Sequence, residues 1–581
     1  MPRPTRNRRP RGPHEDPVQL EVFHHLLSAY CEESGARLRL SAISPNIRER
    51  ADYSVAVFDR DGRLCAQAAH IPVHLGSAGE AVAAVRRELE LAPGDVAILN
   101  DPYCGGTHLP DITMVRPVFG KDSSTQPEWF VVNRAHHADV GGAVPGSMGI
   151  VRDLFAEGLV LPPVHFRRRG ELQQDLLRLL GRNVRGKDER LVDLRAQEAS
   201  LVQLEHRLLA LGAEHGRARV RRITGALMDA SERAGRELLR GLKKGHYTAS
   251  DHLDDDGFGG PPLPIQLELK VSGRLAEFDW RGTCDQAKGG VNANPGIVMA
   301  ACVYALRCLC PGRLPTNDGL FRLIRLRTRS GSLVDPQSPA PVAGGNVETS
   351  QRLVDVAFAA LAAAAPDRVP AASAGTMSNL SFGGLDRSGR EFASYETLPG
   401  GAGAAPGHPS AAAIQTHMTN TRNTPIEDIE QRLPLRVRSL SVRRGSGGRG
   451  REAGGDGLVK QVEALAPMQA SFLGERQLAG PPGLAGGEPG KPGRLFVERS
   501  RSSGAAGAGR RQRLPAKTTV ELEAGDVLIV ETPGGGGHGS APGRRREAAK
   551  QASAKRAPGK SPSKLRTTPR SGGRKGSGKG S

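Results

Sequence analysis

The sequence is poor in aromatic residues and in cysteine, and it has no long apolar run. Aromatic residues make up 4% of the 581 residues, which argues against an extended stacking surface for single-stranded nucleic acid. The seven cysteines are an odd, sparse set without a CxxC pair, and neither a secretory apolar segment nor an apolar stretch of about 18 residues occurs. These absences predict a soluble protein of the reducing cytoplasm that does not associate with a membrane.

Positive charge is concentrated at the two ends of the chain. The formal net charge is +20. Residues 544–581 contain thirteen Lys and Arg against the single acid Glu547, and residues 1–13 add five arginines. The long segment between them is therefore nearly neutral, so a nucleic-acid function is excluded for the body and stays open only for the basic tail.

Strand and helix patterns alternate along the chain. Residues 53–59 and 263–271 alternate apolar and polar side chains and predict strands, whereas residues 186–242 carry a leucine stripe at helical spacing. A composition of 38% hydrophobic and 24% charged residues is that of a globular protein with a sizeable core. We predict a mixed α/β (α+β) fold, a large enzyme body with several sheets and helices.

Composition divides the chain into three parts. Residues 1–16 form a predicted disordered basic leader, and residues 17–540 form the predicted catalytic body. Residues 541–581 are rich in Lys, Arg, Ser and Gly and lack the apolar content needed to fold. We therefore expect a disordered C-terminal tail.

The densest chemical candidates lie between residues 100 and 142. His108 and Asp111 stand in a Gly- and Pro-rich loop that enters a strand, and His136 follows the next strand. Adjacent strand ends could bring these three side chains together, and two imidazoles with one carboxylate suit Zn²⁺, Mn²⁺ or Fe²⁺. Polar loop residues that cap strand ends account for the pattern equally well. Asp52 is a possible fourth ligand, although a salt-bridged turn residue is the simpler interpretation.

Further polar residues suit substrate binding. Arg352 lies near a predicted helix start and could pair with a carboxylate. His417 and Asn420 belong to a segment, residues 416–424, that is dense in hydroxyl and amide groups. The Gly-rich runs could approach a phosphate, but the P-loop and nucleophile-elbow signatures are both missing.

Eight segments form recognisable motifs along the chain: residues 46–54, 100–113, 134–142, 345–352, 375–377, 395–397, 416–427 and 532–537. In this order they resemble the motifs of the hydantoinase B family. The family comprises the B components of N-methylhydantoinase and bacterial 5-oxoprolinase, the C-terminal half of fused 5-oxoprolinases, and subunits of acetone and acetophenone carboxylases. The resemblance covers about residues 17–540.

The resemblance implies a division of labour between two subunits. A partner A subunit of actin-like fold binds ATP and phosphorylates a small cyclic amide, for example 5-oxoproline on its way to glutamate in glutathione metabolism, or a hydantoin. The B subunit completes the hydrolysis with a metal-activated water. Carried over by motif, the metal ligands are His108, Asp111 and His136, with Asp52 as the less certain fourth. His137 or Asp139 would orient the ligands or accept a proton.

Two other functions remain open. The chain could be a subunit of an ATP-dependent ketone carboxylase of the acetone or acetophenone type. Alternatively, the basic tail could bind nucleic acid or another acidic surface through salt-sensitive phosphate contacts.

The tail hypothesis is tested by deleting residues 544–581. We expect retention on immobilised DNA at low salt to disappear, because most of the excess positive charge is removed, while catalytic activity stays unchanged. Loss of catalysis with unchanged DNA retention would contradict both expectations.

Overall fold

The computed structural model describes residues 16–120, 125–310, 312, 314–500 and 509–541. The predicted leader and tail lie outside the described residues, apart from Asp16 and Ala541. Within the described part, helices and four sheets alternate along the chain, which confirms the predicted mixed α/β (α+β) class. No helix of the described part combines the length and the apolar character that a membrane crossing needs.

The first sheet has seven antiparallel strands and two buried faces. Side chains of Val55 and Val57 enter one apolar cluster and those of Ala56 and Phe58 enter another, as the two-residue period of a strand requires. In spatial order the strands run β2-β1-β5-β4-β3-β6-β7. Their bounds are β1 Tyr53–Asp59, β2 Leu64–Gln67, β3 Val96–Leu99, β4 Asp111–Val118, β5 Trp129–His136, β6 Val164–Arg168 and β7 Glu171–Leu172.

Long helices cover the first sheet. The region predicted to be helical, residues 186–242, forms two helices that Gly216 separates, because its φ of +81° is a conformation that favours glycine. Leu201, Leu204 and Leu208 of the predicted stripe are fully buried. The helices of this part are α1 Pro17–Ser41, α2 Pro45–Arg48, α3 Ala78–Glu88, α4 Leu154–Glu157, α5 Gln174–Asn183, α6 Lys187–His215 and α7 Arg217–Gly241, with a 3₁₀ turn at Pro72–Leu75.

The second sheet lies against two apolar helices and shares a core with the first. Residues Ile265, Leu267 and Leu269 point inward at every second position, which confirms the predicted strand over residues 263–271. The strand order is β11-β10-β9-β8. The elements are β8 Gly245–Leu253, β9 Leu263–Val271, β10 Ala276–Asp279, α8 Pro295–Leu309, α9 Asp318–Phe321, β11 Ile324–Arg327 and α10 Ser350–Ala364, and a π-helix at Gly345–Thr349 precedes α10.

Two antiparallel sheets, one of four strands and one of five, form the C-terminal part around a core of their own. Their orders are β13-β12-β16-β19 and β14-β15-β20-β17-β18. The elements are β12 Asn379–Leu385, β13 Glu391–Thr397, α11 Ile426–Arg432, β14 Leu435–Arg443, β15 Gly457–Ala464, β16 Met468–Leu473, β17 Arg494–Glu498, β18 Arg511–Leu514, β19 Lys517–Leu522 and β20 Val527–Glu531.

The Gly-rich loops pack backbone against backbone. The Gly535 N–H donates to the Gly455 carbonyl at 2.9 Å, and the Gly448 N–H donates to the Gly535 carbonyl at 2.8 Å. A Cβ added at Gly535 would lie 2.0 Å from the Ala402 oxygen. These glycines are therefore required by close packing of chain segments, and their backbone groups are engaged with one another instead of facing an open phosphate site.

The glycine packing predicts a specific loss of stability. We expect Gly535→Ala to lower the free energy of unfolding by about 1–3 kcal/mol, because the new methyl group overlaps backbone that cannot move freely. Gly225→Ala is the matched control. Its added Cβ in α7 meets nothing within 4 Å, so it should be neutral or stabilise by up to about 1 kcal/mol. Urea denaturation of both variants measures the difference, and equal midpoints would refute the packing argument.

Candidate metal centre

The register of two strands brings the candidate ligands together. Asp111 is the first residue of β4, His136 is the last residue of β5, and these two residues are direct partners in the antiparallel ladder. His108 lies in the preceding loop, three residues before Asp111. Their side chains form a group that could hold a metal ion, and each is at most 2% exposed.

The three facing atoms form a nearly equilateral triangle. His108 Nε2 lies 3.2 Å from Asp111 Oδ1 and 3.2 Å from His136 Nδ1, and His136 Nδ1 lies 3.3 Å from Asp111 Oδ1. Atoms about 2.1 Å from one cation lie roughly 3.0–3.4 Å apart at tetrahedral to octahedral angles. Asp111 Oδ1 is buried without a hydrogen-bond donor. The donor set therefore fits a divalent cation.

The other oxygen of Asp111 is held by hydrogen bonds. The Thr107 hydroxyl donates to Asp111 Oδ2 at 2.6 Å, and Asn346 Nδ2 donates to it at 3.3 Å. His74 Nε2 lies 3.2 Å from the same oxygen, while its Nδ1 lies 2.9 Å from the Ser54 hydroxyl. These contacts fix the rotation of the carboxylate and leave Oδ1 directed at the two imidazoles.

The main chain sets the tautomer of His108. Its Nδ1 lies 3.3 Å from the Ala343 carbonyl, which can only accept, so Nδ1 carries the proton and Nε2 presents its lone pair to the group. The Ala343 N–H in turn donates to Glu157 Oε1 at 2.8 Å. Burial raises the pKa of Glu157 to about 7. The Glu157 carboxyl group therefore holds Ala343 in place, and the carbonyl of Ala343 orients His108.

Aromatic stacking supports His136. The Tyr395 ring lies parallel to the imidazole with centroids 4.6 Å apart, and its hydroxyl donates to Asn379 Oδ1 at 2.7 Å. Asn379 Nδ2 donates to Glu348 Oε1 at 2.7 Å. Glu348 belongs to the π-helix, a local distortion often found at functional sites, and burial raises its pKa to about 8. A chain of contacts thus runs from the π-helix to His136.

Electrostatics favour a cation within the triangle. Burial alone would raise the pKa of Asp111, but the protonated forms of His108 and His74 outweigh it and hold that pKa well below its usual value. Burial would lower the pKa of His108, but Asp111 outweighs it and raises that pKa, so a positive charge is favoured beside this carboxylate, either as a proton on His108 or as a metal ion at the His108 lone pair. Burial lowers the pKa of His136, so this imidazole is neutral at physiological pH. A buried carboxylate beside a neutral imidazole lone pair is the chemistry that a divalent metal ion requires.

Asp52, His137 and Asp139 do not join the group. The backbone carbonyl of Asp52 accepts from the His136 N–H at 3.0 Å, but its carboxylate faces Arg50 at 3.7 Å. His137 Nε2 lies 2.9 Å from Gln197 Oε1 on α6. Of the two interpretations that the sequence left open for Asp52, the structure therefore supports the ion-paired residue. The side chain of His137 points towards α6 and away from His136.

Asp139 is bound in a tight turn. Its carboxylate accepts from the N–H groups of Gly141 and Gly146 at 2.8 and 3.1 Å, and Arg185 Nη1 donates to it at 3.0 Å. These contacts occupy both oxygens. The described partners of this carboxylate are those of a structural turn, and its proposed proton-accepting role stays a prediction.

The predicted substrate-binding residues separate into two places. Arg352 is fully buried on α10 and pairs with Asp251 at 3.2 Å. His417 and Asn420 line a cavity of about 400 Å³, and His417 Nε2 lies 3.5 Å from Asp355 Oδ1. The structure therefore brings His417 and Asn420 together and leaves Arg352 in the interior.

Sequence reasoning missed His74, Thr107, Asn346 and Tyr395 as neighbours of the candidate ligands. Thr107, Asn346 and Tyr395 lie inside recognised motifs, so their place in those motifs was a usable signal. His74 lies 37 residues before Asp111 in a short 3₁₀ turn. No spacing rule connects it to the site, because only the tertiary fold places this turn beside β4.

Comparison with known proteins agrees with this architecture. The family model described as hydantoinase B/oxoprolinase matches residues 16–541. An uncharacterized protein of Methanocaldococcus jannaschii is 38% identical, with 90% of this chain and 91% of that protein covered. 5-Oxoprolinase 1 of Arabidopsis thaliana is 36% identical over 90% of this chain but only 42% of that protein. The chain therefore belongs to the hydantoinase B/oxoprolinase family.

Further relatives include a separate subunit and two solved structures. The B subunit of a putative D-/L-hydantoinase from a Pseudomonas species is 30% identical, with 90% of each chain covered. The ATP-dependent caprolactamase of Pseudomonas jessenii matches with a TM-score of 0.83 at 26% identity, covering 93% of this chain and 94% of that one. An acetone carboxylase matches with a TM-score of 0.82 at 18% identity, covering 92% and 78%, a likeness of fold alone.

The geometry predicts the metal content of variants. We expect His108→Ala to reduce bound divalent metal from about one per chain to below about 0.1, because a ligand of a three-residue group is lost. Asp52→Asn should retain the metal, since its carboxylate lies outside the group. Elemental analysis after dialysis measures both, with the exposed His246→Ala as the matched control. Full metal content in His108→Ala would show that the group is not the binding site.

Proposed function

We propose that this chain is the B subunit of an ATP-dependent cyclic amidase. It would hydrolyse a lactam such as 5-oxoproline, or a hydantoin, after a partner A subunit of the ATPase type has bound ATP and phosphorylated the substrate. The observation that carries the proposal is the buried His108, Asp111 and His136 triangle in a chain whose family includes 5-oxoprolinases and hydantoinase subunits.

The proposed chemistry follows from the weakness of a lactam as an electrophile. Resonance stabilises the amide, and phosphorylation of its oxygen removes that stabilisation and creates a leaving group. One water then adds to the ring carbon, and the ring C–N bond breaks with a proton transferred to nitrogen, which leaves an acyl phosphate. A second water attacks this acyl phosphate, so that phosphate leaves and the carboxylate of the amino acid forms. The complete reaction converts lactam, ATP and two waters into the amino acid, ADP and phosphate.

The three-residue group would hold a divalent metal, Zn²⁺, Mn²⁺ or Fe²⁺. Such an ion supplies Lewis acidity and lowers the pKa of a water that it binds. The protein supplies the rest: Thr107 and His74 orient the carboxylate of Asp111, the Ala343 carbonyl selects the His108 tautomer, and Tyr395 holds the ring of His136. Preorganised ligands of this kind remain in place while charge develops on the reacting carbon.

The amidase proposal is better supported than the carboxylase alternative. The relatives named as a 5-oxoprolinase and as a hydantoinase B subunit are 36% and 30% identical, and the solved structure at 26% identity is a caprolactamase. The acetone carboxylase supports the fold only.

Nucleic-acid binding concerns the basic tail, outside the described residues. The location in a reducing cytoplasm stays a prediction, and the seven cysteines are free thiols.

The function is tested by reconstitution with an A-type ATPase subunit. We expect ATP-dependent opening of 5-oxoproline, a hydantoin or caprolactam, measured as amino acid and phosphate formed, only when both subunits are present. His108→Ala should lower product formation by roughly 100-fold or more, while His246→Ala keeps it. Consumption of a ketone with bicarbonate instead of a lactam would establish the carboxylase alternative, and full activity of His108→Ala would refute the proposed site.

A further inference from the structure

A cleft of about 1170 Å³ opens between the first sheet and the C-terminal part. Its walls come from the junction of α5 and α6, the hairpin of β12 and β13, and the region around α11. This volume is ample for a small organic ligand. Neither the candidate metal ligands nor the predicted substrate residues line it, so the cleft is distinct from both of those sites.

The deep part of the cleft contains unsatisfied donors. Asn46 and Arg190 line it and are 2% and 4% exposed. Asn46 Nδ2 and Arg190 Nε have no hydrogen-bond partner in the described part of the chain. Buried donors without partners are costly, and both would be satisfied by a ligand that accepts hydrogen bonds. An anion accepts such bonds most strongly.

The outer part of the cleft is positively charged. Seven basic and five acidic residues line the whole cleft. Among the described residues, Arg182, Lys187 and Arg387 form no ion pair, whereas Glu189 is paired with Arg190 and Arg432. In the described part of this lining, the acids without an ion pair are Asp188 and Glu391. Three unpaired basic residues and two unpaired acidic residues therefore leave an excess of one positive charge, to which the partial charge at the start of α6 is added.

The N-terminus of α6 adds to this field. The helix begins at Lys187, follows Gly186 at φ +65°, and has no side chain capping its first N–H groups. Asp188 and Glu189 lie in its first turn, and the charge of Glu189 is neutralised by its pairs with Arg190 and Arg432. It is 29 residues long, and free N–H groups at the start of a helix attract anions. Together with the buried donors of Asn46 and Arg190, this end of the helix completes an anion site.

The cleft reaches the neighbourhood of the candidate metal centre. Tyr395 and Ala138 are both buried residues of its lining. The Tyr395 ring is stacked on His136, and Ala138 follows His136 by two positions. A ligand that contacts the deep lining therefore lies one side chain away from the His136 imidazole.

We propose that this cleft binds a small phosphorylated molecule, with its phosphate held by Asn46, Arg190 and the start of α6. Lys187 and Arg387 add positive charge to the same site. The anion site itself depends only on the lining described above.

The proposal is tested by titrating the metal-loaded full chain with phenyl phosphate in a calorimeter at constant ionic strength. We expect Lys187→Ala/Arg387→Ala to weaken binding at least fivefold. The control Lys270→Ala/Arg274→Ala removes two exposed cations of the second sheet and should bind like the unaltered chain. Equal affinity in all three proteins, or equal weakening in both variants, would overturn the proposal.

Two further arms distinguish binding in the cleft from binding at the metal centre and from a loss of folding. His108→Ala should keep phenyl phosphate binding, and complete loss there would place the phosphate on the metal instead.

If circular dichroism shows that the double variant is unfolded, the isosteric Asn46→Asp provides the same test, because its carboxylate would repel the anion and weaken binding. The titration needs no turnover, so a failed lactam screen with intact cleft binding would refute the enzyme proposal and leave the anion site standing.

Discussion

The ladder between β4 and β5 is the constraint on which the candidate centre depends. Pairing of Asp111 with His136 at the end of this ladder places a carboxylate and an imidazole side by side. A shift by one residue would turn each side chain to the opposite face of the sheet. Both faces are buried, with Met114 in one core and Val115 in the other, so the apolar residues of β4 hold the register that the polar residues need.

Burial makes the polar group costly, and the structure offsets this cost with hydrogen bonds on the outer side of Asp111 and His108 and with the stacked Tyr395 ring beside His136. Asp111 Oδ2 accepts from Thr107 and Asn346, and His108 Nδ1 donates to a main-chain carbonyl. Among the inward atoms, Asp111 Oδ1 has no hydrogen-bond partner in the described part of the chain, and His108 Nε2 and His136 Nδ1 have only each other as hydrogen-bond partners, at 3.2 Å. Such an arrangement is unfavourable for a purely structural polar cluster, whereas it is what a cation site requires. Geometry and electrostatics thus lead to the same interpretation.

Much of the architecture could be predicted from local patterns. The alternation over residues 263–271 matches β9 residue for residue, since a strand with one inward face is a local signal. The long leucine stripe predicted helix correctly but not its interruption at Gly216, where backbone conformation overrides periodicity. The sequence left the role of the Gly-rich segments open, since they could approach a phosphate but lack the P-loop signature, and their packing role emerged only from their mutual contacts, as at Gly535.

The sequence by itself determined the fold class, the family and the three residues of the candidate centre, because these depend on apolar periodicity and on motifs that short segments contain. Tertiary structure alone decided that Asp52 faces Arg50, that His137 contacts α6, and that His74 lies beside Asp111. Each of these outcomes depends on the direction of a side chain and on partners distant in the chain. Spacing along the sequence carries no information about such directions.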